Sequence, residues 1–242
     1  MTPQRRNGGF LAAPESRALD ALLPRLPGWV TPDGLTALGL AGAALAGLGF
    51  ALAQRHPLFW ALAVLGLALN WAGDSLDGRL ARHRGANRPC RGYLLDNGLD
   101  MPGYLAVAAG FAQSGLLWPA LPFLALALHF MLVNLATARL AVTGILDLSA
   151  GPVGTTELRA IFAAGSALLA LLPPAHLAAP LLDAWTPLDL ACWAWIASMI
   201  VAYATALRSD IRMGADRDLA SGAPTPLETM PQALRSAAAS RS

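Results

Sequence analysis

Four aspartates at helical spacing carry the strongest chemical signal in this 242-residue chain: Asp74 and Asp77, then Asp96 and Asp100. At about 100° per residue, Asp74, Asp77, Gly78, Ala81 and Arg82 share an arc of roughly 140° on one helix, and Gly92, Asp96 and Asp100 share roughly 80° on another. Packed as an antiparallel hairpin, the two helices set one carboxylate pair opposite the other. Four clustered carboxylates repel and take up protons unless cations neutralise them. An all-oxygen donor set suits Mg2+ or Mn2+. The four groups leave room for two ions, an arrangement that clamps a phosphoryl group during displacement. Gly78 and Ala81 are small enough for a nucleotide to approach the backbone, and Arg82 can pair with a phosphate. Two other readings use the same acids. One is a structural ion network with the arginine-rich loop that follows them; the other is a cation or proton path through a transporter. A path predicts acids near mid-membrane and polar residues continuing to the far side, yet the far halves of the apolar runs are almost uncharged.

The elements that must position these acids lie in lipid. Hydrophobic residues make up 55% of the chain and charged residues only 13%, against about 45–50% and 25% in soluble domains. Six apolar runs approach membrane-spanning length: Leu35–Ala53, Pro57–Gly73, Tyr93–Ala112, Trp118–Val142, Leu158–Leu172 and Leu188–Leu207. Pro119 and Pro122 fit the first turn of the fourth, where a missing N–H costs least. All but Arg55 of the 17 Lys and Arg residues, every one of them Arg, fall on one side of such a bundle. The positive-inside rule then makes that side, both termini and the acids cytoplasmic. Residues Ser16–Leu26 set Leu19, Leu22 and Leu23 on one face, which predicts an amphipathic helix on the membrane surface. The fold expected is all-α: an integral membrane bundle of six transmembrane helices with that N-terminal amphipathic surface helix. Residues 1–30 form its arm, 31–212 the membrane domain and 213–242 a mobile tail. No secretory signal layout opens the chain. A net charge of +2 gives no ground for a nucleic-acid partner. Cys90 and Cys192, in a basic loop and an apolar run, are not expected to pair, and no zinc spacing is present.

The order Asp74-x2-Asp77-Gly78-x2-Ala81-Arg82, nine residues, Gly92-x3-Asp96-x3-Asp100 resembles the signature of the CDP-alcohol phosphotransferases. The six-span layout is similar to that family over about residues 16–212. The resemblance implies displacement of CMP from a CDP-linked alcohol, CDP-diacylglycerol foremost, by the hydroxyl of a small polar alcohol. The reverse pairing, CDP-choline or CDP-ethanolamine with diacylglycerol, stays open. By the same resemblance Asp74, Asp77, Asp96 and Asp100 hold two Mg2+ or Mn2+ ions, and Asp100 is the catalytic base. Asp74, Gly78, Ala81 and Arg82 bind the CDP moiety. The expected setting is a homodimer in a bacterial inner membrane, among membrane lipids. Thr31-Pro32-Asp33-Gly34-Leu35-Thr36 is similar to a Pro-Asn-x-x-Thr segment of related enzymes, with Asp33 in place of Asn. Gly151–Arg159 is either acceptor wall or a Gly/Pro turn with an N-cap at Thr155 or Thr156. Arg139, Glu157 and Arg159 are the acceptor-binding candidates. Elsewhere the plainer reading is preferred. Arg84, Arg88 and Arg91 set topology and meet lipid headgroups; Asn70, His129 and Asn134 bridge helices; Cys192 and Trp193 pack or face lipid.

Overall fold

The structure is a computed structural model that describes residues 4–6, 12–86, 88–143, 145–147, 164–166 and 185–220. It is built from helices: α1 (Ala12–Leu22), a 3-10 turn (Leu23–Arg25), α2 (Pro32–Leu52), α3 (Leu58–His83), α4 (Pro89–Gln113), α5 (Ala120–Thr143) and α6 (Pro187–Ala220). A three-residue parallel pairing joins β1 (Gln4–Arg6) to β2 (Ile145–Asp147). The chain divides into two compact units, Met1–Met199 and Ile200–Ser242, with the division inside α6.

Helix ends follow local chemistry. Thr31 caps α2 by accepting a hydrogen bond from Gly34 N at 3.0 Å, with Pro32 in the first turn, as helix starts favour. Gly85, at φ +66°, adopts the left-handed conformation that ends α3, and Ala86 N donates to Ala81 O. Pro119 and Pro122 flank the start of α5 as expected.

Among the described residues, four helices are long and apolar enough to cross a membrane: α2, α3, α5 and Pro187–Asp218 of α6. The six expected spans are therefore met only in part. The third is present as the 25-residue α4, but Arg91, Asp96 and Asp100 lower its hydropathy. Of the fifth, only the helical residues 164–166 are described. The sixth does not stop near Leu207, because α6 continues to Ala220. Its charged last turns are rich in helix formers and set Arg212 one turn before Asp216. Part of the expected tail is thus helical, and the remainder lies outside the described residues.

Stripes of small residues fuse the first hairpin. On α2, Gly39, Gly42, Ala46 and Gly49 recur every three or four residues; on α3, Ala63, Gly66, Asn70 and Gly73 do the same. A Cβ on Gly42 would lie 2.5 Å from Asn70 N and 2.7 Å from Gly66 O, and one on Gly73 2.5 Å from Leu35 O. Between membrane helices, close backbone approach and dispersion replace the hydrophobic drive of water. A second face of α2 meets α4 in the same way, Gly47 against Ala106 and Gly110, and Ala43 against Gly103. Phe50 stacks on Phe111 at 4.0 Å beside Trp60. They belong to the larger core cluster with Ala46, Ala53, Ala63 and Leu116.

The segment expected to lie on the membrane surface, Ser16–Leu26, falls on α1 and the 3-10 turn that follows it. Leu19 and Leu23 are buried with Leu35, Leu76 and Leu80 of α2 and α3, while Leu22 stays exposed. Polar contacts reinforce that seat. Trp71 Nε1 donates to Glu15 at 2.7 Å, and Arg79 pairs with Asp20 at 2.8 Å. Two of the three leucines therefore face protein.

Candidate active site

The site lies between the two apolar clusters. On α2 the cavity residues Thr36, Gly39 and Leu40 fall between Leu35 and Ala46; on α3, Asn70 and Asp74 fall between Ala63 and Leu76. Asp96, Leu99 and Asp100 of α4 complete the wall. The cavity is about 10 Å³, enough for about one water molecule or bare ion. Nothing much larger fits inside it.

Each predicted acid on α3 and α4 comes to this place. Asp74, Asp96 and Asp100 line the cavity and are half-buried. Asp77 is only 4% exposed. Its Oδ2 accepts from Thr36 Oγ1 at 2.7 Å and its Oδ1 from Gly78 N. Asp74, Asp77 and Asp100 all lie close enough to Asp96 for their charges to act on it. Among the described residues, no three Asp, Glu, His or Cys side chains converge on a single ion position as they stand. The chemistry of the donor set still fits divalent Mg2+ or Mn2+: three carboxylates line one small cavity and a fourth, Asp77, lies next to it.

The other signature residues diverge in exposure. Gly78 is partly exposed, and its open side is approached only by the Arg82 guanidinium, 3.5 Å from where a Cβ would stand. Arg82 is exposed, which suits it to an incoming phosphate. Ala81 is 7% exposed and contributes packing behind that surface. Gly92 has open space around its Cα. Arg139 is partly buried on α5. Glu157, Arg159 and the rest of Gly151–Arg159 lie outside the described residues.

Several contributions come from residues that spacing did not mark. Thr36, 41 residues before Asp77, lies in the segment already noted at the start of span one. Asn70 Nδ2 donates to Gly39 O at 3.0 Å, the helix-bridging role expected of it. The loop arginines differ from expectation. Arg84 donates to backbone oxygens of Leu26, Pro27, Gly28 and Val30 and so ties down the segment leading into α2. Arg88 forks onto both oxygens of Asp33 at 2.8 and 2.9 Å, and Arg91 adds a contact at 2.9 Å. The Asp33 carboxylate raises the pKa of Arg88 further. These three cations meet the protein itself, because the hairpin folds the loop against the start of α2.

No curated protein of similar sequence was found. A family profile described as CDP-alcohol phosphatidyltransferase matches residues 29–208, which include the cavity, all four aspartates and the described spans up to Arg208. The family is one of transferases for substituted phosphate groups that act in phospholipid synthesis, generally with divalent metal. With apolar helices of spanning length and an acid-lined cavity inside the matched region, the chain belongs to the CDP-alcohol phosphatidyltransferase family.

Proposed function

We propose that this enzyme transfers the phosphatidyl group of CDP-diacylglycerol to the hydroxyl of a small polar alcohol, releasing CMP, with two Mg2+ or Mn2+ ions held by Asp74, Asp77, Asp96 and Asp100. The observation that carries the reading is the convergence of α2, α3 and α4 on one cavity lined by Asp74, Asp96 and Asp100, with Asp77 close by and held by Thr36. When bound, the ions neutralise charge on the diphosphate and on leaving CMP. Gly78 leaves the donor phosphates room beside the backbone of α3, and Arg82 pairs with one of them. Asp100 accepts the proton of the acceptor hydroxyl as its oxygen bonds to the lipid-bearing phosphorus. The bond from that phosphorus to the CMP oxygen breaks, and CMP leaves with the electron pair. Thr36 keeps Asp77 in place by its hydrogen bond. Arg139, with Glu157 and Arg159, is the proposed acceptor-side set. Membership of the family supports six spans in an inner membrane, cytoplasmic chemistry and a homodimer.

The test is CMP release by the purified protein from labelled CDP-diacylglycerol. Serine, glycerol 3-phosphate, inositol, inositol phosphate and choline are offered in turn, with Mg2+ or Mn2+. One acceptor is expected to give both CMP and a new phospholipid, and chelation to stop both. Turnover that survives chelation removes the metal assignment. CMP formation from CDP-choline with diacylglycerol alone reverses the donor.

A further inference from the structure

The cavity is bounded along α2 and α4 by two very different contacts. These helices run in the same direction and touch on either side of a gap. At the deep end they touch backbone to backbone, Gly47 against Ala106 and Gly110, with Ala43 against Gly103 one turn nearer the mouth. At the next level they separate around the cavity, with Thr36, Gly39 and Leu40 on one side and Asp96, Leu99 and Asp100 on the other. At the mouth they are rejoined by Asp33 on α2, gripped by Arg88 at the N-terminus of α4 and Arg91 in its first turn. Asp33 lies one turn before Thr36, and Thr36 holds Asp77. Arg91 lies five residues before Asp96. Pro102 gives α4 no backbone donor to the Gly98 carbonyl, so the cavity segment lacks one of its own helical bonds and relies more on external restraint.

We infer that Asp33, Arg88 and Arg91 form a positioning clamp that fixes the distance between α2 and α4 across the mouth, and so sets the approach of the α4 aspartates to those of α3. The fork of Arg88 suits this use, because a bidentate pair fixes orientation as well as distance. The three side chains are 31–62% exposed. At such exposure ion pairs add little to global stability, so the clamp acts on geometry and leaves the melting temperature nearly constant. The inference rests on the proposed function for its catalytic consequence, but the spacing itself is measurable without substrate.

The experiment uses the full-length protein in detergent or nanodiscs with Cys90 and Cys192 replaced by Ser and Ala. Spin labels go on the exposed positions Leu38 of α2 and Leu94 of α4, and their separation is read by pulsed electron paramagnetic resonance. With the clamp intact a narrow distance distribution is expected. Asp33→Ala is expected to broaden or lengthen it and to lower kcat by roughly 10- to 100-fold, the scale of an ångström-level misplacement, with KM for the CDP-alcohol nearly unchanged. Asp33→Asn is the milder variant should Asp33→Ala not fold, and is expected to act in the same direction. The exchange Asp33→Arg with Arg88→Asp restores the Arg–carboxylate contact and is expected to restore most of both readouts, whereas each single exchange is not. The clamp is overturned if either Asp33 variant keeps the wild-type distance distribution, or keeps kcat within about twofold. A wild-type protein that releases no CMP with any donor refutes the proposed function instead, and the distance measurement still decides the clamp.

Discussion

At the scale of single residues, the aspartates were legible because helical geometry links positions three and four apart on one element. Asp74 with Asp77 and Asp96 with Asp100 needed only the 100° turn to be read as facing pairs. Asp100 lines the cavity with Asp74 and Asp96, and the base role assigned to it makes a sharp prediction. Asp100→Asn keeps the volume but loses the proton acceptor, so CMP release in the acceptor-dependent assay is expected to fall about 10²- to 10⁴-fold, while gel filtration and melting stay at wild-type values. Full acceptor-dependent activity in that variant would move the base elsewhere. Thr36 and Asp33 were not legible as contacts: their partners are 41 and 55 residues away, and no local period relates them. Thr36→Val leaves buried Asp77 short of one donor, an expected cost of about 1–3 kcal/mol. It should appear as a lower melting temperature and a higher Mn2+ concentration for half-maximal turnover, and Thr36→Ser should recover both. Equal Mn2+ requirements in Thr36→Val and wild type would show that Asp77 needs no positioning by this hydroxyl.

At the scale of elements, hydropathy located the helices better than their ends. The first run matches α2 closely, but α3 carries the signature on its own last turns, and α4 and α6 extend beyond the apolar residues. Polar helix formers continue a helix once its apolar part is anchored, and hydropathy does not register them. The hairpin contact was present in the sequence as two small-residue stripes, Gly39/Gly42/Ala46/Gly49 and Ala63/Gly66/Asn70/Gly73, whose three-and-four spacing is that of a left-handed helix pair. The partner of each stripe was not readable, because Gly47 and Ala43 on another face of α2 offer α4 an equally small surface. Gly42→Ala is the test of this packing. Its Cβ would stand 2.5 Å from Asn70 N and 2.7 Å from Gly66 O, and backbone on both sides cannot yield as a side chain can. A large loss of folded, monodisperse protein in detergent is expected. Gly214→Ala, on a helical glycine with nothing within 4 Å, should be neutral or gain up to about 1 kcal/mol from helix propensity. If the two variants melt alike, the α2–α3 approach is looser than the structure has it.

At the scale of the whole molecule, the scarcity of charge and its sorting become one argument. With only 13% of residues charged, each arginine has a marked effect on insertion. Those between the second and third spans do two jobs at once: Arg84, Arg88 and Arg91 fold the loop onto α2, and their charge favours the cytoplasm. In the proposed function the same side receives the nucleotide head of the donor. In α6 the apolar residues give way at Arg208 to a charged stretch that continues the helix to Ala220. The chain supplies its own reporter of orientation. Cys90 is exposed in the first turn of α4, and Cys192 is partly buried in an apolar helix. With Cys192 replaced by Ala, a membrane-impermeant maleimide is expected to leave Cys90 unlabelled in right-side-out vesicles and to label it in inverted ones. Arg55→Cys in a background without native cysteines should give the opposite pattern, because Arg55 follows α2 on the far side. Labelling of Cys90 from outside would place the loop, the clamp and the four aspartates on the face away from the nucleotide pool, and the orientation drawn from the arginines would have to be reversed.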